Sequence, residues 1–248
     1  MSAGNKTISS TTVKLGIYEQ SADAQLASML GQVKELDDGR KFRLCKNGAA
    51  TLLAGILVQG VAQDAYDDAL VVNTAAAVGD KEIEVTVTAG HGGHDEDALK
   101  EGFLVVNQGA GDIGTFYKIK GNDAMVASAS ATIFLYDPLT TVLAATTNEV
   151  SVCKNPYKDV VIDANTAPLA GVPIIGVTAA YYFWAQFEGI GPATATAAAI
   201  GAGDYLLHSA GDVYVSASTA VDTEKRIAMA VTAATNDDAL IVKWLAIG

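Results

Sequence analysis

The sequence predicts an all-β protein of sandwich or barrel type, with Gly-rich hairpins, an extended N-terminal arm and little helix. Three observations carry that expectation. Apolar residues recur with period two, the side-chain repeat of a half-buried strand. Clusters of Gly, Pro, Asn, Asp and Ser separate the apolar runs. Helix signals are scarce: the best lies at 21–33, where Leu26, Met29 and Leu30 stand at helical spacing behind Ser21 as a candidate N-cap, with no cap at the far end.

The strands follow in order. In 81–89, Ile83, Val85 and Val87 share one face while Glu82, Glu84, Thr86 and Thr88 share the other, which describes a strand with one wet side. The run 103–107 and the β-prone 115–119 flank a Gly-rich connection and predict a hairpin with a long loop. A strand at 131–137 ends at Pro138. Beyond Pro156 the pattern resumes at 160–162, 174–178 and 181–187, punctuated by Pro168 and Pro173. Strands at 205–208 and 213–215 flank the turn Ser209-Ala210-Gly211-Asp212, and 239–247 reads as the last strand. The expected organisation is an arm over 1–30, a β domain over 31–150, and over 151–248 a second β domain or a continuation of the first. A connection near 138–160 marks the boundary. No repeat with a period of about 20–50 residues is present, which disfavours a solenoid or propeller.

Composition narrows the function. The 248 residues carry 16 Lys and Arg against 28 Asp and Glu, a net charge of −12. Such a balance opposes nonspecific nucleic-acid binding, which draws on clustered cations. Only 18% of residues are charged while 50% are hydrophobic, against about 25% charged in an ordinary soluble domain. Small residues on sheet faces, a partner subunit, or both are expected to cover part of the surface. The first residues lack the apolar stretch of a secretory signal, and no window reaches the roughly 18 apolar residues of a spanning helix. A soluble chain without membrane contact is therefore expected. Cys45 and Cys153 show no CxxC or Cys/His spacing and read as buried thiols, which fits folding in a reducing cytoplasm.

The chemical motifs are weak. Gly109-Ala110-Gly111-Asp112-Ile113-Gly114 matches GxGxxG, but the β-prone segment after it cannot open the helix that a dinucleotide site needs, so a hairpin loop is expected. His91-Gly92-Gly93-His94-Asp95-Glu96-Asp97 is the one cluster of metal-ligating types. HxxH alone lacks a third ligand, and the glycines orient neither ring, so no metal and no cofactor is expected. The pairs Asp67-Asp68 and Asp237-Asp238 read as solvated turn charge. Few histidines and no GxSxG elbow give no catalytic residue, and the chain is expected not to be an enzyme. The segment with Tyr181, Tyr182, Phe183, Trp184 and Phe187 is aromatic on both faces if it is a strand, with Tyr181, Phe183 and Phe187 on one side and Tyr182 and Trp184 on the other. It must pack inside the chain or against another subunit. The low charge and this strand suggest a homo-oligomer, a trimer by preference.

Three stretches resemble the capsid decoration, or cement, proteins of tailed bacteriophages. In 39–59 the similarity rests on Asp38-Gly39-Arg40, Phe42-Arg43, Asn47-Gly48 and Ala54-Gly55. The stretches 101–122 and 171–193 are similar to further segments of the same group, so the resemblance spans roughly 31–193. Departures are Leu44 and Cys45, where an aromatic-containing pair is common, and Glu188-Gly189-Ile190, which lengthens the run before Gly191-Pro192. The resemblance implies a structural virion protein on the capsid surface, assembled in the host cytoplasm, whose partners are the major capsid protein and itself. A tail or fibre component is the alternative, disfavoured by the missing repeat, and a carbohydrate-binding β-sandwich module a weaker one. Docking is expected of the arm. Lys6 and Lys14 make residues 1–14 cationic on an acidic chain, and Thr7, Ile8, Thr11 and Val13 give a β-prone core suited to strand addition at a partner's sheet edge.

Overall fold

In a computed structural model the chain is all-β, with antiparallel sheets, one of them closed into a barrel. The structure describes residues 14–109, 113–195, 199–215, 226–234 and 238–247. In chain order the first strands are β1 (Gln20–Ser21), β2 (Val33–Glu35), β3 (Lys41–Lys46), β4 (Val58–Gln59), β5 (Leu70–Val72) and β6 (Glu82–Thr86). Next come β7 (Phe103–Gln108), β8 (Phe116–Asn122), β9 (Ser130–Leu135), β10 (Glu149–Cys153), β11 (Val161–Ile162) and β12 (Leu169–Pro173). The last are β13 (Tyr182–Thr194), β14 (Tyr205–Ser209), β15 (Asp212–Tyr214), β16 (Ala228–Ala230) and β17 (Ala239–Leu245).

Strands β10, β5, β6, β9, β8 and β7 pair in that order and close, since β10 also pairs with β7. Period two explains the interior. Ile83 and Val85 from β6, Leu104 and Val106 from β7, Ile133 and Leu135 from β9, and Val150 and Val152 from β10 all point inward and form one core. Six strands leave room for side chains alone, so the barrel is filled. A register shift between Ile119 and Gly121 of β8 bends the strand as closure requires.

The remaining strands form one sheet in the order β11-β4-β12-β13-β17-β16-β14-β15, with β1, β2 and β3 attached through β13. Its strands come from both sides of the barrel in sequence: β3 pairs with β13, and β4 with β11 and β12. The barrel is thus an insertion between β4 and β11. The stretch 31–150 is divided between the two sheets, and 33–59 joins 161–245.

Two local expectations are corrected. The helical signal at 21–33 yields a short 3₁₀ turn, Ala24–Met29, capped by the Asp23 side chain, which accepts from Gln25 N at 3.0 Å. Ser21 Oγ instead accepts from Asp23 N. Only Leu26 of that turn is buried, too little apolar contact to hold a longer helix. The strand expected at 174–178 lies one step earlier, at Leu169–Pro173, and Val177 makes only an isolated bridge with Leu52.

Candidate functional site

Barrel topology brings distant residues to one end. Strands β5 and β6 are antiparallel, with Val71 opposite Thr86, so the start of β5 and the end of β6 are neighbours. Just before β5, the 3₁₀ turn Ala65–Asp67 is capped by Asp64, whose Oδ1 accepts from Tyr66 N at 2.9 Å. Just after β6, the chain turns through His91 and Gly92-Gly93 to His94, whose backbone pairs in both directions with Met125. The two loops meet at Asp67. Its Oδ1 contacts His91 Nε2 at 3.0 Å and His94 Nε2 at 2.8 Å. All three side chains are almost fully buried.

The expectation for Asp67 is therefore corrected. Of the pair Asp67-Asp68 only Asp68 is exposed, and its carboxylate is held below its usual range mainly by the Ser151 hydroxyl, then by Asn107. The expectation that nothing orients the imidazoles is corrected too. Gly93 N–H donates to His91 Nδ1 at 2.8 Å, so the Nε2 of neutral His91 carries the proton that Asp67 accepts. The rings stand perpendicular, with centroids 5.0 Å apart. The third histidine repeats the theme, since His208 Nδ1 lies 2.6 Å from Oδ2 of buried Asp163.

A cleft of about 600 Å³ opens beside this cluster, lined by Asp64, Asp67 and His94 on the barrel side and by Pro156, Thr166 and Pro168 on the other. The chain enters and leaves the barrel here. Gln63 Nε2 donates to Val152 O at 2.7 Å and Asn155 Nδ2 to Glu101 O at 3.1 Å, fastening both connections to the barrel. Cys153 borders the same cleft, half-buried; burial raises its pKa, and the Asp67 charge adds to the rise. It is held as a thiol, a poor nucleophile. Cys45 is fully buried and its pKa is pushed up to about 12.

The other sequence-singled residues lie apart from this site. The Gly109 to Gly114 stretch connects β7 to β8, antiparallel neighbours, with residues 110–112 outside the described residues. The aromatic strand is covered on both faces by the chain itself. Phe183 packs with Cys45, Val58 and Val177, with half-buried Tyr181 against them. Tyr182 and Trp184 pack with Phe42, Leu44 and Leu26. Phe187 leaves the first set and joins Val172 and Trp244, because the register shifts between Gln186 and Glu188. Of the arm residues, Lys6, Thr7, Ile8, Thr11 and Val13 lie outside the described residues, and Lys14 is exposed. Just beyond it, Leu15 O accepts from Trp184 Nε1 at 2.9 Å and from Lys34 Nζ at 2.8 Å, which ties the base of the arm to the large sheet.

One exposed face was not legible beforehand. Across β13, β17, β16 and β14, Ile190 stands opposite Lys243, Lys243 opposite Met229, and Met229 opposite Tyr205. Ile241 and Leu245 lie on the same side of β17 and are exposed, as are Ile190 and Tyr205. Arg226 covers the Tyr205 ring, 4.4 Å from its centroid.

The chain matches no protein-family model, no curated protein and no solved structure.

Proposed function

We propose that the chain is a non-enzymatic structural protein of a virion, a homotrimer that decorates a tailed-phage capsid by binding its major capsid protein. The observation that carries this reading is where the three decoration-like stretches fall in the fold. The stretches 39–59 and 171–193 hold β3, β4, the end of β12 and nearly all of β13, which pair with one another, and 101–122 holds the β7-β8 hairpin of the barrel. Two of the three stretches, far apart in sequence and singled out for one resemblance, thus build one sheet, and the third builds a barrel hairpin.

Their roles are structural. Arg40 Nε donates to Asp38 Oδ2 at 2.7 Å across the turn at Gly39. Asn47 Nδ2 donates to Ala50 O at 2.8 Å and to Thr178 O at 3.0 Å, joining the loop after β3 to the one before β13. Neither arrangement presents reactive groups. The outward face of Ile190, Ile241, Leu245 and Tyr205, with Lys243 and Arg226 among them, gives an acidic chain an apolar surface studded with positive charge to place on a protein shell. Residues 1–14, cationic and β-prone, supply a second contact.

The test is attachment to heads of the encoding phage assembled without this chain. Wild-type protein is expected to cosediment saturably, and Ile241→Asp and a deletion of residues 2–13 are each expected to weaken attachment at least about tenfold, the loss of 1.4 kcal/mol or more of contact energy. Wild-type protein that stays in the supernatant contradicts the reading.

A further inference from the structure

We propose that Asp67, His91 and His94 form a zinc-class metal site at the mouth of the barrel. Their ligand atoms lie within 4.8 Å of one another. A zinc ion takes bonds of about 2.0–2.2 Å to imidazole nitrogen and carboxylate oxygen, which separates tetrahedral ligands by about 3.3 Å. Asp67 Oδ1 already stands 3.0 and 2.8 Å from the two Nε2 atoms. Binding the ion widens these two contacts by a few tenths of an ångström and draws the two imidazole nitrogens, which lie within 4.8 Å of each other, together by up to about 1.5 Å. Two imidazoles with one carboxylate favour zinc over magnesium or calcium, which take oxygen sets.

Charge points the same way. Asp67 is buried, and among the described residues both of its ion-pair contacts are imidazoles, with no lysine or arginine. Buried carboxylates are otherwise paired with a cation or bound to metal. The site borders the cleft: Asp67 and His94 are among its lining residues, and His91 is not. Three protein ligands with one open position make a complete first coordination set for zinc.

Coordination also moves a proton, and the loop is built to allow it. Binding through His91 Nε2 moves that ring's proton to Nδ1, where Gly93 N–H now donates. The amide must turn away. The peptide between Gly92 and Gly93 is flanked by two glycines, with Gly93 at φ +86°, and both orientations of that peptide are open to them. Turned over, it offers the Gly92 carbonyl to Nδ1–H, the usual support of a ligating histidine.

The experiment titrates chelator-treated full-length chain with zinc chloride by calorimetry and with cobalt by absorbance. Expected are one equivalent bound, a tetrahedral cobalt spectrum, and a melting temperature raised by several degrees at zinc about 100-fold above its Kd. His94→Gln and Asp67→Asn are expected to lose at least about tenfold in affinity, one ligand of three, while His208→Gln binds as wild type. In the wild type, zinc is expected to shift the Gly93 amide and both ring resonances of His91 and His94. This last readout stands even if a variant fails to fold. Absence of zinc heat and cobalt bands, or binding that leaves those resonances still, overturns the proposal.

Discussion

Replacing Asp67 by Ala, with Asp68→Ala as its neighbour control, separates the buried cluster from ordinary turn charge. In the native fold one carboxylate oxygen accepts from two buried imidazoles at 3.0 and 2.8 Å. Hydrogen bonds to charged groups contribute about 1.5–3 kcal/mol each, and a buried donor left alone costs its desolvation. Two such donors suggest a loss of about 3–5 kcal/mol, from which the relief of desolvating Asp67 itself subtracts. The net expectation is about 2–4 kcal/mol, or roughly 4–15 °C in melting temperature for a chain of this size. Asp68 is exposed, and its bonds to Ser151 and Asn107 face solvent, so its removal is expected to cost under about 1 kcal/mol. Urea unfolding followed by tryptophan fluorescence and far-ultraviolet dichroism, in chelator so that bound metal contributes nothing, measures both. Equal small losses for the two variants would refute the cluster as a structural clamp.

Other outcomes follow from the same geometry. Gly109→Ala is expected to cost at least about 1–3 kcal/mol by chemical denaturation, because Gly109 holds φ +126° and a Cβ there would lie 2.1 Å from Asn148 Nδ2. Under native conditions a thiol reagent is expected to label Cys153 slowly and Cys45 only on unfolding, since burial pushes Cys45 up to about 12; labelling of Cys45 at the rate of free thiol contradicts its place in the core. Asp64, Asp68 and Glu84 are held below their ordinary carboxylate values by hydrogen bonds, chiefly from Tyr66 N–H, the Ser151 hydroxyl and the Thr74 hydroxyl respectively. Depressed carboxylates stabilise the fold above their unfolded pKa and lose that contribution as pH falls, so melting temperature is expected to drop below about pH 4. A melting temperature that rises on acidification there contradicts the assignment.

How much could be read from sequence depended on whether a strand has a wet side. β6 has one: Glu82 and Thr86 are exposed while Ile83 and Val85 are buried, and its alternation was plain. β3 alternates only at first: Phe42 and Leu44 are fully buried beside half-buried Lys41 and Arg43, then Cys45, also fully buried, breaks the period, and the stretch stands out only for its resemblance. β10 does alternate, with Val150 and Val152 inward, but its five residues lay in a segment read as a connection.

Long-range pairing was the larger gap. Nothing local says that β3 pairs with β13 while a whole barrel intervenes, because both partners carry mixed polar and apolar residues compatible with many registers. The candidate site failed for the same reason. His91 and His94 were legible as a pair; Asp67, 24 and 27 residues before them in sequence, looks no different from Asp68 until β5 is set beside β6. The aromatic segment was legible as a strand with two apolar faces, but whether its own chain or another covers them is a matter of topology. The exposed face of Ile190 and Ile241 was hidden because its rows are composed across four strands.

The role proposed for this fold is decoration of a capsid. Its most direct test is cosedimentation of the purified chain with heads of the encoding phage assembled without it, over a range of chain concentrations. Saturable binding at a fixed ratio to the major capsid protein and a trimer by light scattering before addition are expected; a chain that leaves those heads bare at every concentration contradicts the proposed role.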